Sequence, residues 1–291
     1  MMEIERHAIE FAGDKLAIRI HRAGGSTTSP LPAVLMCHGF FCIQDILLSG
    51  FVKHFTAAGY CVVTFDYRGF GDSEGDAGRI VPERQIEDIM AVLDWCQAQP
   101  GIDARRIALW GTSLGGCHVI EVAARRPEIK CVLSQLAFAD GEQLVTGDMG
   151  GEEKARFMDT LKRMASKQQQ SGSELLVPII KVMTDEESRV FFEKKKKEFP
   201  VLGNKVPYLA VWETILYHPA QAAARVTQPT FMVFAENDKV IALEYGLALY
   251  QAISADKRCH IQPKARHYQV FAGEHLNRVA GQQLDWLRKH M

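Results

Sequence analysis

The sequence predicts an α/β domain built on a mostly parallel sheet with helices on both faces. Three observations carry this. Six short apolar runs, at residues 33–37, 60–65, 107–110, 131–136, 230–235 and 259–262, have the length of buried strands. Stretches with helical spacing separate most of them; in 82–98, Ile86, Met90 and Leu93 share one face and Pro82 suits a first helical turn. Strands apolar on both sides are what a sheet covered on both faces requires.

Ahead of these runs, residues 3–11 and 15–21 alternate around Gly13-Asp14, which predicts an opening β-hairpin and brings the strand count to eight. Gly24-Gly25-Ser26-Thr27-Thr28-Ser29-Pro30 reads as a loop. The strand–helix alternation stops near Asp140 and resumes near Gln228. The stretch between is too long for a plain loop and has helical patterning. Phe157, Leu161 and Met164 share a face, and Thr184-Asp185-Glu186-Glu187 has the form of a capping box. We therefore expect a core domain from residues 1–139 and 229–291, with 140–228 inserted as a helical cap. The run Glu193-Lys194-Lys195-Lys196-Lys197-Glu198 reads as a solvated helix face.

Gross composition excludes some classes of function. With 47% hydrophobic and 24% charged residues and a formal net charge of -1, the chain has no general attraction for nucleic acid or an anionic membrane. No apolar run reaches the roughly 20 residues of a membrane span. No apolar segment follows the charged first residues, so a cytoplasmic location is expected rather than secretion. The seven cysteines, odd in number and without a Cys-x-x-Cys pair, read as reduced, buried thiols. No His/Cys spacing matches a zinc site, and no cofactor or metal is expected.

The chemistry centres on Gly111-Thr112-Ser113-Leu114-Gly115-Gly116, which fits the pattern G-x-S-x-G. Alone it is weak, since chance gives roughly one match per ten chains of this length. Its context strengthens it: Arg106-Ile107-Ala108-Leu109-Trp110 before it is strand-like, and 114–126 after it is helix-like. A sharp strand-to-helix turn lifts a serine hydroxyl above the sheet edge and aims free helix N–H groups at a developing oxyanion. The bland alternative is a glycine-rich turn with a solvated serine.

A serine needs a base. His267 follows the last predicted strand and precedes the C-terminal helix, whereas His260 lies in a strand pattern and His118 and His275 lie in helices. The acid should follow the preceding strand, which ends in Glu236-Asn237-Asp238. Asp238 is the choice; Glu236 and Asp140 are its rivals. His38-Gly39-Phe40-Phe41 closes the first buried strand, so the N–H groups of Phe40 and Leu114 are expected to form an oxyanion hole. Asp66-Tyr67-Arg68-Gly69-Phe70-Gly71-Asp72-Ser73 reads as a loop that braces the site by hydrogen bonds. Phe41, Phe157 and Trp212 are expected at the substrate. Most cap aromatics can equally be packing, and those around 208–217 a homodimer contact.

These motifs, in the order His38-Gly39, the Asp66–Ser73 run, the Ser113 turn, Asp238 and His267, resemble the α/β-hydrolase superfamily over residues 30–140 and 225–291. Within it the chain is similar to the branch of dienelactone-hydrolase-like and X-prolyl-peptidase-like (S15) proteins, with its thiohydrolase and polyketide-transferase relatives. The nucleophile position holds serine, not the Asp of haloalkane dehalogenases and epoxide hydrolases or the Cys of dienelactone hydrolase. No Gly-Gly-Gly follows His38, as hormone-sensitive-lipase-like enzymes would have. The resemblance implies a serine hydrolase acting on a small-molecule carboxylic ester or acyl thioester through an acyl-enzyme. Acyl transfer to an alcohol or amine is the main alternative, since the triad would serve both. Peptidase or carbon–carbon hydrolase activity and a non-catalytic binding role complete the range.

Overall fold

The computed structural model describes residues 2–25 and 29–291; the central part of the loop expected at 24–30 lies outside the described residues. The chain opens with β1 (Met2–Phe11) and β2 (Asp14–Ala23), joined through Ala12 and Gly13, both at positive φ. Then come β3 (Leu31–Cys37), α1 (Ser49–Ala57), β4 (Cys61–Phe65), α2 (Pro82–Gln97), β5 (Ile102–Thr112), α3 (Leu114–Arg125) and β6 (Cys131–Gln135). β5 starts five residues before the apolar run that announced it. Its first half contains Asp103, Arg105 and Arg106, and hydrophobicity cannot reveal a strand segment of that kind.

After β6 the chain leaves the sheet. It forms α4 (Gly141–Thr146), α5 (Gly151–Ser171), β7 (Leu176–Pro178), a 3-10 turn over Ile179–Lys181, and α6 (Glu186–Lys195). A second 3-10 turn (Pro200–Gly203), β8 (Lys205–Pro207), α7 (Ala210–Ile215) and α8 (Ala220–Ala223) follow. β7 and β8 pair antiparallel, a small ribbon too short to leave a sequence signal. Leu161 of α5 is buried with Val211 and Ile215 of α7, and Phe157 and Met164 pack beside them. The start of α6 corrects the sequence reading. Asp185, not Thr184, is the N-cap and accepts the Ser188 N–H at 2.7 Å. The helix starts one residue later than a box on Thr184 requires, which leaves Glu187 free to turn elsewhere.

The chain re-enters the sheet as β9 (Thr230–Ala235), α9 (Leu243–Ala252), β10 (Lys257–Gln262), a 3-10 turn over His267–Phe271, and α10 (Gly273–His290). The eight-stranded sheet has the order β1-β2-β4-β3-β5-β6-β9-β10. β2 runs antiparallel to β1 and β4, and the remaining pairs are parallel. Alternate residues of the central strands serve opposite faces. Leu35, Val63, Leu109 and Val132 pack with α2 and α3, while Val34, Val62, Trp110 and Leu133 pack with α1 and α10. This two-sided burial is why the strands read as unbroken apolar runs. Six cysteines are buried and Cys259 is half-buried; all seven are free thiols. Among the described residues, no helix is long and apolar enough to cross a membrane.

Candidate active site

The parallel strands end at one edge of the sheet, and the loops there carry the candidate residues. At the tip of β5, Ser113 adopts φ 54° and ψ -123° and α3 starts at the next residue. Such a conformation costs a non-glycine residue about 1–3 kcal/mol, which the surrounding packing must hold in place. Two glycines make the turn sterically feasible. A Cβ on Gly111 would stand 2.1 Å from the Gly115 carbonyl oxygen, and one on Gly115 would stand 2.4 Å from those of Cys37 and His38. Leu114 is the first residue of α3, and its N–H has no partner among the described residues.

The Phe40 N–H, in the loop after β3, is likewise free among the described residues. Gly39 lets this loop pass close to the serine, with its Cβ position 3.1 Å from Ser113 Cβ. Asp66 fastens the loop. Its Oδ1 accepts the Gln44 N–H at 2.8 Å, and its Oδ2 accepts Gln44 Nε2 at 2.8 Å and the Asp72 N–H at 3.0 Å. Ser73 Oγ donates to the Asp66 carbonyl at 2.6 Å. Burial lowers the pKa of His38, the neighbour of Gly39, and so favours its neutral form.

His267 opens the 3-10 turn after β10, and Asp238 follows β9. Both are buried, with His267 Nδ1 2.8 Å from Asp238 Oδ2. The other carboxylate oxygen accepts the N–H groups of Val240 and Ile241, each at 2.8 Å. Burial pulls the pKa of His267 down. The charge and hydrogen bond of Asp238, joined by the carboxylates of Glu187 and Asp185, push it up more strongly, so the net shift is upward. A proton on Nδ1 directed at Asp238 leaves Nε2 as the free acceptor. Ser113 and His267 line one small space with Gly39, Phe40 and Tyr268. Among the described residues no hydrogen bond joins Ser113 Oγ to the ring; such contacts often tighten only when substrate binds.

The rival acids are engaged elsewhere. Asp140 caps α4 by accepting the Gln143 N–H at 2.8 Å, and its other oxygen is 2.8 Å from His218 Nδ1. Glu236 accepts the Lys264 N–H at 2.7 Å.

A cavity of about 440 Å³ opens at Ser113, Phe40 and Leu114. Phe138 and Ile241 wall it from the core side, and Leu144, Val182, Met183 and Val211 from the inserted segment. Phe41, Phe157 and Trp212, expected at the substrate, are not among its lining residues. Phe41 turns into the core and packs edge-on against Phe40. Phe157 and Trp212 pack instead against Leu161, Val211 and Ile215. Large aromatics on an amphipathic helix fill the helix-packing seam first, and sequence alone does not separate that seam from a pocket wall. Sequence reading also passed over Glu187, which accepts the Tyr268 N–H at 3.2 Å beside His267.

Compared with known proteins, residues 12–269 match the family described as X-Pro dipeptidyl-peptidase (S15 family). The chain belongs to that family. An Escherichia coli protein described as an uncharacterized 31.7 kDa protein in the traX-finO intergenic region is 47% identical over 261 residues, covering 89% of this chain and 91% of that one. The quorum-quenching protein AidA of Acinetobacter baumannii is 27% identical, covering 91% and 88%. Among solved structures, the α/β hydrolase GrgF from Penicillium sp. sh18 superposes with a TM-score of 0.81 at 19% identity, covering 100% of this chain and 99% of that one. The fold is therefore that of the α/β hydrolases, as the motifs implied, and this S15 member is an enzyme of the α/β-hydrolase kind.

Proposed function

We propose that this S15 member is a serine hydrolase that cleaves a carboxylic ester or acyl thioester through an acyl-enzyme. The reading rests on one juxtaposition. A strained, partly exposed Ser113 and a buried His267–Asp238 pair line one space, beside two free N–H groups and at the mouth of a cavity of about 440 Å³. In this reading Ser113 Oγ attacks the acyl carbon while its proton passes to His267 Nε2. The Phe40 and Leu114 N–H groups stabilise the oxyanion. When the tetrahedral intermediate collapses, the carbon–oxygen or carbon–sulfur bond to the leaving group breaks and His267 returns the proton to it. Water, deprotonated by His267, then attacks the acyl-enzyme, and a second collapse frees the acid and Ser113. Asp238 holds the imidazole in the required tautomer and faces its positive charge. The inserted segment, which supplies one wall of the cavity, acts as a cap that selects the acyl group. An alcohol or amine in place of water would give acyl transfer by the same steps, and a peptide bond would be cut by them too.

The test is direct. A fluorophosphonate should label Ser113 alone, and Ser113→Ala should abolish both labelling and turnover. A panel of p-nitrophenyl esters of graded length, acyl thioesters and X-Pro amides, with and without added alcohols and amines, then assigns the reaction. Label on another residue, or none on folded protein, would remove the serine-hydrolase reading.

A further inference from the structure

His267 is held from two sides. From the core, Asp238 bonds its Nδ1. From the inserted segment, the start of α6 grips the next residue, Tyr268, by three different groups. Glu187 Oε1 accepts the Tyr268 N–H at 3.2 Å, and Ser188 Oγ and the Tyr268 hydroxyl are 3.0 Å apart. Phe191 stacks on the Tyr268 ring, with centroids 3.9 Å apart and planes within 6°. The Tyr268 ring in turn meets the His267 ring edge-on at 5.1 Å. Fixing the amide, ring and hydroxyl of residue 268 fixes the direction in which residue 267 projects its imidazole. Asp185 anchors the gripping turn itself by capping α6.

We propose that Glu187 is a positioning residue for the base, clamping the Tyr268 amide and setting a second carboxylate, with Oε2 buried, next to the residue that follows the imidazole in the chain. This rests on His267 being the base. The inserted segment then does more than wall the cavity: it completes the setting of the histidine. The geometry carries the point. Oε2 of Glu187 is buried and has no hydrogen-bond partner among the described residues, so its charge is left to act on its surroundings. Burial raises the carboxyl pKa, with Asp238 and Asp185 adding to the rise; the Tyr268 N–H and His267 counter it only in part, so the net shift is upward. Asp238, from the loop after β9, contacts the imidazole directly, and the charges of Glu187 and Asp185 at the start of α6 also act on it; the Tyr268 phenol beside it is neutral. When His267 takes the serine proton it becomes a buried cation, and a nearby carboxylate favours that state.

The test is Glu187→Gln, whose side-chain oxygen can still accept the Tyr268 N–H but carries no charge. Loss of a negative neighbour makes the imidazolium easier to deprotonate. The acid limb of the kcat/KM profile should therefore move to lower pH, with KM and thermal midpoint unchanged. An unmoved acid limb in a folded variant would overturn the proposal, because a purely structural contact predicts no movement. Glu187→Ala, which also releases the amide, should lower kcat by roughly ten-fold or more, as misplaced catalytic groups do. If Glu187→Gln does not fold, Glu187→Asp takes its place: it shortens the reach to the Tyr268 N–H and keeps a carboxylate. Reduced kcat with an unmoved acid limb supports the clamp, and unchanged kcat refutes it. His267→Ala separates the two levels. If that variant keeps wild-type turnover, the reading of His267 as base fails. If it is inactive while Glu187→Gln leaves the profile untouched, only the proposal for Glu187 fails.

Discussion

Asp238→Asn is the substitution whose outcome the geometry determines most tightly. One carboxylate oxygen accepts two N–H groups, those of Val240 and Ile241, and the other faces His267 Nδ1. Asparagine offers one oxygen and one NH₂. If the NH₂ faced the two amides, both donors would be left unsatisfied in a buried site, at about 1–3 kcal/mol each. The oxygen therefore stays with the amides and the NH₂ turns to His267. Facing a donor, Nδ1 must become the acceptor, which puts the ring proton on Nε2, where Ser113 needs an acceptor. The fold loses little, and stability should change by less than about 1 kcal/mol. Catalysis loses its tautomer, and kcat should fall on the order of 10⁴-fold, about 5.4 kcal/mol of barrier. The assay pairs steady-state kinetics on the best p-nitrophenyl ester with a urea denaturation midpoint. Folded Asp238→Asn enzyme with kcat within about ten-fold of wild type would refute the assignment of the acid. Glu236→Gln and Asp140→Asn should cost far less, since their partners lie elsewhere.

Further expectations follow from the same geometry. His267 must be neutral to act as base and its pKa is raised above the ordinary 6.5, so kcat/KM on an ester should fall on the acid side with an apparent pKa above 6.5; a flat profile between pH 5 and 8 on folded enzyme would count against a histidine base. His21 and His118 are held at about 4 and about 3, chiefly by burial. Unfolding at pH below 6.5 therefore takes up protons that the native state refuses, and the stability these neutral rings contribute should be lost as pH falls from 6.5 toward 3–4. Urea midpoints at pH 7 and pH 5 measure this, and His118→Gln should flatten the dependence while lowering the midpoint overall. Leu144→Ala, which enlarges the cavity wall, should shift the ratio of kcat/KM on long and short esters by roughly ten-fold. Phe157→Ala and Trp212→Ala should instead cost about 1–3 kcal/mol of stability and leave that ratio unchanged.

The sheet and the serine turn were legible in the sequence because their physics is local. A strand buried on both faces must be apolar throughout, and a turn with a positive-φ serine needs glycines at fixed offsets, so both leave marks on the chain. The order of Ser113, Asp238 and His267 along the sequence was readable for the same reason, as each follows a recognisable strand. The inserted segment was less readable. Helical periodicity showed that Phe157, Leu161 and Met164 share a face, but not that the face meets α7 rather than the cavity. Glu187 was invisible as a site residue because its partner, Tyr268, lies 81 positions away. As part of an acidic first turn it looked like a capping residue. Only the placement of Asp185 as the cap shows that the glutamate is free for another contact. The charged first half of β5 was missed because only its continuation is apolar.

The free thiols make the molecule a reporter of its own opening. Six of the seven are sealed in the interior, spread over β3, β4, β6, α2, α3 and the loop after β3. Burial pushes Cys42 and Cys131 up to about 12 and Cys61 up to about 11, so little thiolate is available in the closed state. An alkylating reagent should thus modify Cys259 first, and each buried thiol only as fast as its own region opens. Peptide mapping of timed samples would rank those openings along the chain without any engineered probe. Cys42 is the informative one: it lines the small space shared by Ser113, His267 and Tyr268. If its labelling outpaces that of Cys61 and Cys131, the loops at the strand ends breathe while the sheet stays shut.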